Sequence, residues 1–389
     1  MMSFRIYTLP CLCVAIVMLF LLSPISLHAQ LKKREAEQFA TAELEKQKAL
    51  QKAHLASVWQ QKVARNGEYT LKFQYRVLGE KPADGRSLYI SMHGGGGTTA
   101  AANDQQWKNQ IGLYTPKEGI YLAPRAPTDT WNLWHQEHID TLFTEVIKAA
   151  MLMEDVNPNK IYITGYSAGG DGTFQLAPRL APYWAAAAMM AGHPGDAAAI
   201  NLRNLPFAIY MGGKDAAYKR NELAAVWGKK LDSLAAANPG DFVHEVQIYP
   251  DMPHWMNRKD TVAMPWLASF RRKALPSRVS WQQDDVLRDQ FYWLGAPRGK
   301  GQAGALATVS VSGNTVQIEH NTHPALLIYL NDELLNLDKK VKVTYQGKTL
   351  FNKRVKRDKK VITQTAAALD PDRVFSAVLL VENGQVRQW

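Results

Sequence analysis

Gly165-Tyr166-Ser167-Ala168-Gly169 stands directly behind the apolar run Lys160-Ile161-Tyr162-Ile163-Thr164, and no other feature narrows the folds open to this chain so far. A strand-like run ending in a serine flanked by glycines predicts a sharp strand-to-helix turn that lifts the hydroxyl clear of the backbone. A serine hydroxyl is a weak nucleophile near neutral pH, so the turn is chemically useful only beside a base and beside amides that can hold an oxyanion.

Candidates for both partners are present. Ser87 to Met92 reads as a buried strand and runs into His93-Gly94-Gly95-Gly96-Gly97. Glycine lets backbone amides approach a ligand closely, so the amides of Gly94 or Gly95, with that of Ala168, are the expected oxyanion donors. A plain flexible loop is the alternative reading. Downstream, the run Pro206 to Met211 ends in Gly212-Gly213-Lys214-Asp215, and Phe242 to Tyr249 ends in Pro250-Asp251-Met252-Pro253-His254-Trp255. Nucleophile, acid and base then follow in the order Ser167, Asp215, His254, each after a strand, at the sheet edge where open α/β folds bind ligands.

Rival residues fit less well. His244 lies inside an apolar strand, His93 belongs to the glycine loop, His193 follows the sheet run Ala185 to Ala191, Asp251 shares the loop of His254, and Asp171 points to a helix face. His135, His138 and Asp140 do not complete a metal set, so no metal is expected.

His93-Gly-Gly-Gly-Gly, Gly165-Tyr-Ser-Ala-Gly-Gly170, Asp215 and His254 together resemble the serine hydrolases of the α/β-hydrolase fold, over about residues 66 to 275. The esterase branch is the nearer likeness, with its phospholipase/carboxylesterase-like, feruloyl-esterase-like and polyhydroxybutyrate-depolymerase-like members. The resemblance implies a carboxylic ester hydrolase working through an acyl-enzyme, with no metal or organic cofactor. Substrate is not implied, because one fold hosts many chemistries.

Alternating strand and helix signals over this region predict a doubly wound, mainly parallel sheet. Residues 1–29 carry Arg5, the apolar run Leu9 to Leu22 and a small-residue end at Ala29, the pattern of a secretory signal peptide, with an uncleaved anchor as the alternative. A periplasmic or secreted protein without a stable membrane span follows as the expectation. Both cysteines, Cys11 and Cys13, fall in that segment. Residues 30–65 are rich in Glu, Lys, Gln and Ala and predict a long exposed helix, either packed on the domain or held as a spacer. From residue 276 to 389, short alternating segments broken by Ser312-Gly313-Asn314, Gln346-Gly347-Lys348 and Asn383-Gly384 predict a β-sandwich that either braces the catalytic part or docks on a polymer.

The formal net charge is +11, concentrated in part between Lys339 and Lys360. That excess suits an anionic surface, whereas nucleic acid is not expected because no reader motif accompanies the charge. Trp107, Trp131, Trp134 and Trp255 fall near the strand ends. Trp131, Trp134 and Trp255 are the candidate substrate contacts, with Asn132 and His135 as polar additions, and esters on carbohydrate or phenolic groups are the favoured substrates. A serine peptidase of the same fold and an inactive polymer-binding protein are the alternatives.

Overall fold

The computed structural model describes residues 1, 2 and 31–389. Residues 3–30, which hold Cys11, Cys13 and nearly all of the segment read as a signal peptide, lie outside the described residues. Residues 31–389 form one compact unit. In chain order its elements are α1 (Lys33–Gln61), β1 (Val63–Asn66), β2 (Tyr69–Leu78), β3 (Arg86–Met92), α2 (Ala100–Ile111), β4 (Gly119–Arg125), α3 (Glu137–Glu154), β5 (Val156–Tyr166), α4 (Ala168–Arg179), β6 (Ala186–Met190), β7 (Phe207–Gly212), α5 (Arg220–Ala237) and β8 (His244–Tyr249).

Eight strands form one sheet in the order β1-β2-β4-β3-β5-β6-β7-β8. β2 runs antiparallel to β1 and β4, and every pairing from β4 through β8 is parallel. β4, β6 and β7 are buried along their whole length, as expected of parallel strands covered on both faces. This is the α/β-hydrolase arrangement, and β5, which delivers Ser167, lies in its interior between β3 and β6.

α1 is a packed element rather than a free spacer. Leu55, Val58 and Trp59 are buried in the main core, the Trp59 indole donates to Glu154 Oε1 at 2.8 Å, and Gln51 donates to the Ala367 carbonyl at 3.1 Å.

After α6 (Ala263–Ala268) the chain builds two five-stranded sheets from β9 (Arg278–Gln282), β10 (Gln290–Phe291), β11 (Leu294–Gly295), β12 (Leu306–Ser312), β13 (Thr315–Asn321), β14 (Ala325–Leu330), β15 (Lys340–Tyr345), β16 (Lys348–Arg354), β17 (Ala377–Glu382) and β18 (Gln385–Gln388), with α7 (Lys359–Ala366) between β16 and β17. Their buried side chains, among them Val316, Val341, Ile328 and Leu379, join the same hydrophobic core as β3, β5 and β7. Buried polar groups add to the join. Arg272 holds Asp370 through two bonds of 2.6 and 2.9 Å, Arg203 donates to Ser280 Oγ at 2.8 Å, and Asp140, read from sequence beside His135 and His138, lies between Arg179 and Arg288. His138 stacks on Tyr69. Among the described residues no helix is long and apolar enough to cross a membrane.

Candidate active site

Ser167 sits between the end of β5 and the start of α4 with φ 57° and ψ −120°, a conformation that L residues avoid and that a surrounding structure must impose. The flanking glycines show how tightly it is imposed. A Cβ on Gly165 would lie 2.2 Å from the Gly169 carbonyl oxygen, and a Cβ on Gly169 would lie 2.1 Å from that of Met92. The Ser167 amide donates to the Met190 carbonyl at 3.0 Å, which ties the turn to β6.

Asp215 follows β7 and is buried, and His254 follows β8. The imidazole lies between the other two side chains, with Nδ1 2.6 Å from Asp215 Oδ2 and Nε2 3.0 Å from Ser167 Oγ. A carboxylate only accepts, so the proton of neutral His254 rests on Nδ1 and Nε2 is left to accept from the serine hydroxyl. On the far side of the carboxylate, Arg220 Nη1 is 3.8 Å from Asp215 Oδ1.

The glycine loop faces the serine. The missing Cβ of Gly94 would be 3.1 Å from Ser167 Cβ. Asn103 Oδ1 accepts from the Gly96 amide at 2.9 Å, and the Gly97 amide donates to the Asp129 carbonyl. The amides of Gly94 and Gly95 make no hydrogen bond to another described residue. His93 explains how the loop is set. Its Nδ1 donates to the Gly94 carbonyl at 2.6 Å while Nε2 accepts from the Ala126 amide at 3.1 Å. Burial favours this neutral form and pushes the His93 pKa down to about 4. In a trans peptide, fixing the Gly94 carbonyl also fixes the Gly95 N–H in the opposite direction.

A cavity of about 620 Å³ opens beside the loop, lined in part by Gly95, Trp131, Ala168, Asp171, His193 and Arg220. Trp131 is 72% exposed and Trp255 45% exposed, so both present ring surface. Trp134 is a correction. It is 0% exposed, donates from Nε1 to the His93 carbonyl at 3.0 Å and packs against Phe143, so it supports the glycine loop from within the core and cannot touch a ligand. Trp107 likewise spends its indole N–H on the Ala123 carbonyl.

His135 lines the cavity, with burial pushing its pKa down to about 4. Asp171, expected on a helix face, and His193, expected to follow the sheet, both line the cavity, joined by the His193 amide donating to Asp171 Oδ1 at 2.6 Å. Burial raises the Asp171 pKa above the usual carboxylate range. Gln175, Asp196, Tyr218 and Arg220 complete the polar lining, and sequence reasoning named none of them. Asp171 carried one signal, its place one helical turn after Ser167. Asp196, Asp284 and Asp285 bring carboxylate oxygens within 4.8 Å of one another, but Arg179 Nη1, 3.7 Å from Asp284 Oδ2, already supplies positive charge there.

Residues 117–295 match the dienelactone hydrolase family, a stretch that holds Ser167, Asp215 and His254 and leaves the glycine loop outside. A search of curated proteins finds no match. Similar solved structures include a thermostable esterase (18% identity, TM-score 0.44, covering 54% of this chain and 62% of that one) and a ferulic acid esterase (14%, 0.38, 53% and 95%). Esterase 2 of Thermogutta terrifontis, phosphorylated by paraoxon, is similar at 17% identity (TM-score 0.37, 53% and 88%). The sheet order identifies the fold as that of the α/β-hydrolases, and over residues 117–295 the chain is similar to the dienelactone hydrolase family.

Proposed function

We propose that Ser167 attacks an ester carbonyl while His254 takes its proton at Nε2, that Asp215 orients the imidazole and stabilises its charged form, and that the amides of Gly95 and Ala168 hold the oxyanion. Gly94 gives clearance for Ser167 and offers a further free amide. Collapse of the tetrahedral intermediate returns the proton from His254 to the leaving alcohol and leaves an acyl group on Ser167. Water, deprotonated by the same imidazole, then releases the acid. The observation that carries this reading is the unbroken chain of contacts from Asp215 Oδ2 through His254 to Ser167 Oγ, at 2.6 and 3.0 Å.

Esters on carbohydrate or phenolic groups suit the cavity. Trp131 and Tyr218 offer exposed rings for stacking, and Asp171, Gln175, His193 and Asp196 offer hydrogen-bond partners for hydroxyl groups. A periplasmic or secreted location rests on the pattern of residues 1–29. An anionic partner is supported by the outer face of β15 and the edge strand β16, where Val341 and Val343 turn inward and Lys340, Lys342 and, opposite Lys340, Arg354 are exposed. None of these three cations has an ion pair among the described residues.

The test is a panel of p-nitrophenyl acyl esters, p-nitroanilide peptides and acetylated or feruloylated glycans, each run with wild type and Ser167→Ala. Ester turnover that disappears in Ser167→Ala is expected. Amide cleavage outrunning ester cleavage would replace this reading with a peptidase, and no turnover on any member would favour the inactive binding protein.

A further inference from the structure

Tyr166 is the first of the two variable residues of the Gly-x-Ser-x-Gly motif, and its side chain leaves the serine turn toward the loop that carries His254. Its hydroxyl donates to the His254 carbonyl at 2.7 Å and accepts from the Met256 amide at 3.1 Å. One phenol oxygen therefore brackets the backbone of the histidine loop from both sides. Among the described residues neither that carbonyl nor that amide has another hydrogen-bond partner. The ring adds shape to the bracket, lying edge-on to the His254 imidazole with centroids 5.9 Å apart and tilted against Trp255 at 5.5 Å.

The arrangement matters because the imidazole is otherwise loosely held. The His254 side chain is 40% exposed, and among the described residues its only polar side-chain partners are Asp215 and Ser167 themselves. Its lateral position therefore depends on where its own backbone is fixed. Tyr166 is the residue next to Ser167 and is itself buried, so motion of the turn and motion of the histidine loop are coupled through one rigid side chain. Burial also raises the phenol pKa above its ordinary value, so the O–H donor is kept at neutral pH.

We infer that Tyr166 is a positioning residue that sets the separation of Ser167 Oγ and His254 Nε2 by holding the His254–Met256 backbone. The inference rests on the proposed roles of Ser167 and His254. Displacing a reacting pair by about 1 Å costs roughly a hundredfold in rate, so loss of the bracket acts on turnover and not on substrate binding.

The test uses the full-length chain. Active sites are counted with a fluorophosphonate, and kcat per labelled site and KM are compared for wild type, Tyr166→Phe and a protein with 4-aminophenylalanine at position 166, which keeps a donor of nearly the same reach. Tyr166→Phe is expected to lose about 10- to 100-fold in kcat per labelled site with KM unchanged, and the amino variant to recover most of the loss. A packing role would lower the thermal midpoint and leave kcat per site at the wild-type value, and that result overturns the inference. Should Tyr166→Phe not be recovered folded, the amino variant decides alone: turnover near wild type is expected, and a loss of more than tenfold overturns the inference. Ser167→Ala runs in parallel. Residual turnover there would defeat the proposed nucleophile itself, whereas an inactive Ser167→Ala beside an unaffected Tyr166→Phe defeats only the positioning role.

Discussion

Gly95→Ala is the sharpest probe of the oxyanion assignment, because the structure says where the added methyl goes. Gly95 has φ +106°, outside the range of L side chains, and an ideal Cβ there would sit 2.2 Å from Asn103 Oδ1 and 3.3 Å from its Cγ. Asn103 must therefore move. In moving it gives up the Gly96 amide and its 2.7 Å bond to Asp129 Oδ1, the contact that links the loop to Arg125. The Gly94–Gly95 peptide, held on its other side by His93, then turns away from the carbon above Ser167. Losing one preorganised oxyanion donor costs about 3 to 4 kcal/mol, or roughly 10² to 10³ in kcat. Ground-state binding changes little, since the donor acts on charge that exists only in the transition state. Steady-state kinetics on a p-nitrophenyl ester should show kcat reduced by that factor at nearly constant KM. An increase in KM with kcat unchanged would mean that the loop shapes the cavity and does not hold the oxyanion.

Four further outcomes follow from the same geometry. Asp215→Asn should lower kcat by about 10⁴ without unfolding the protein, since the amide favours the wrong imidazole tautomer, and wild-type rates would remove Asp215 from its role. Truncation after Lys273 should give aggregated, inactive protein, because it strips Asp370 from Arg272 and Arg288 from Asp140 and uncovers the segment around Leu202 that packs against β9. A soluble, active truncate would show that the C-terminal sheets are not a brace. Replacing Lys340, Lys342 and Arg354 with Glu should lower the salt needed to elute the protein from a sulfated polysaccharide column while leaving soluble-ester turnover intact, and unchanged retention would rule out that face as a docking surface. Stability should fall on acidification. His93 and His135 are held neutral with pKa values of about 4, so between about pH 6.5 and 4 the unfolded chain binds protons that the folded one refuses. His93 alone then costs on the order of 3 kcal/mol across that window. Buried Asp171, Asp260 and Asp284 shift the opposite way, so the comparison is with His93→Gln: its urea midpoint should fall less between pH 7 and 4.5 than that of wild type, and an equal fall would contradict the buried neutral assignment.

The grouping of Ser167, Asp215 and His254 was legible because each follows its own strand. Ser167, Asp215 and His254 each end an apolar run, and a parallel sheet brings the carboxyl ends of its strands to one edge whatever the intervening sequence. The glycine loop was legible for the same reason. The cavity wall was not. Tyr218 and Arg220 are aimed by a turn in which Tyr218 and Lys219 both take positive φ, at 54° and 57°, and no local composition announces such a turn. Trp134 and Trp131 are three residues apart and equally aromatic, yet one is core and the other faces solvent. Only the tertiary fold separates them, since an indole serves either role. The outward set of Lys340, Lys342 and Arg354 depends on a strand register that charge alone does not fix.

The account turns on Ser167 as the nucleophile, and covalent trapping tests that most directly. After reaction with a fluorophosphonate, intact-mass measurement should show one adduct per chain, and peptide mapping should place it on Ser167, with no adduct on Ser167→Ala. Labelling that survives Ser167→Ala, or that maps to another residue, would contradict the account.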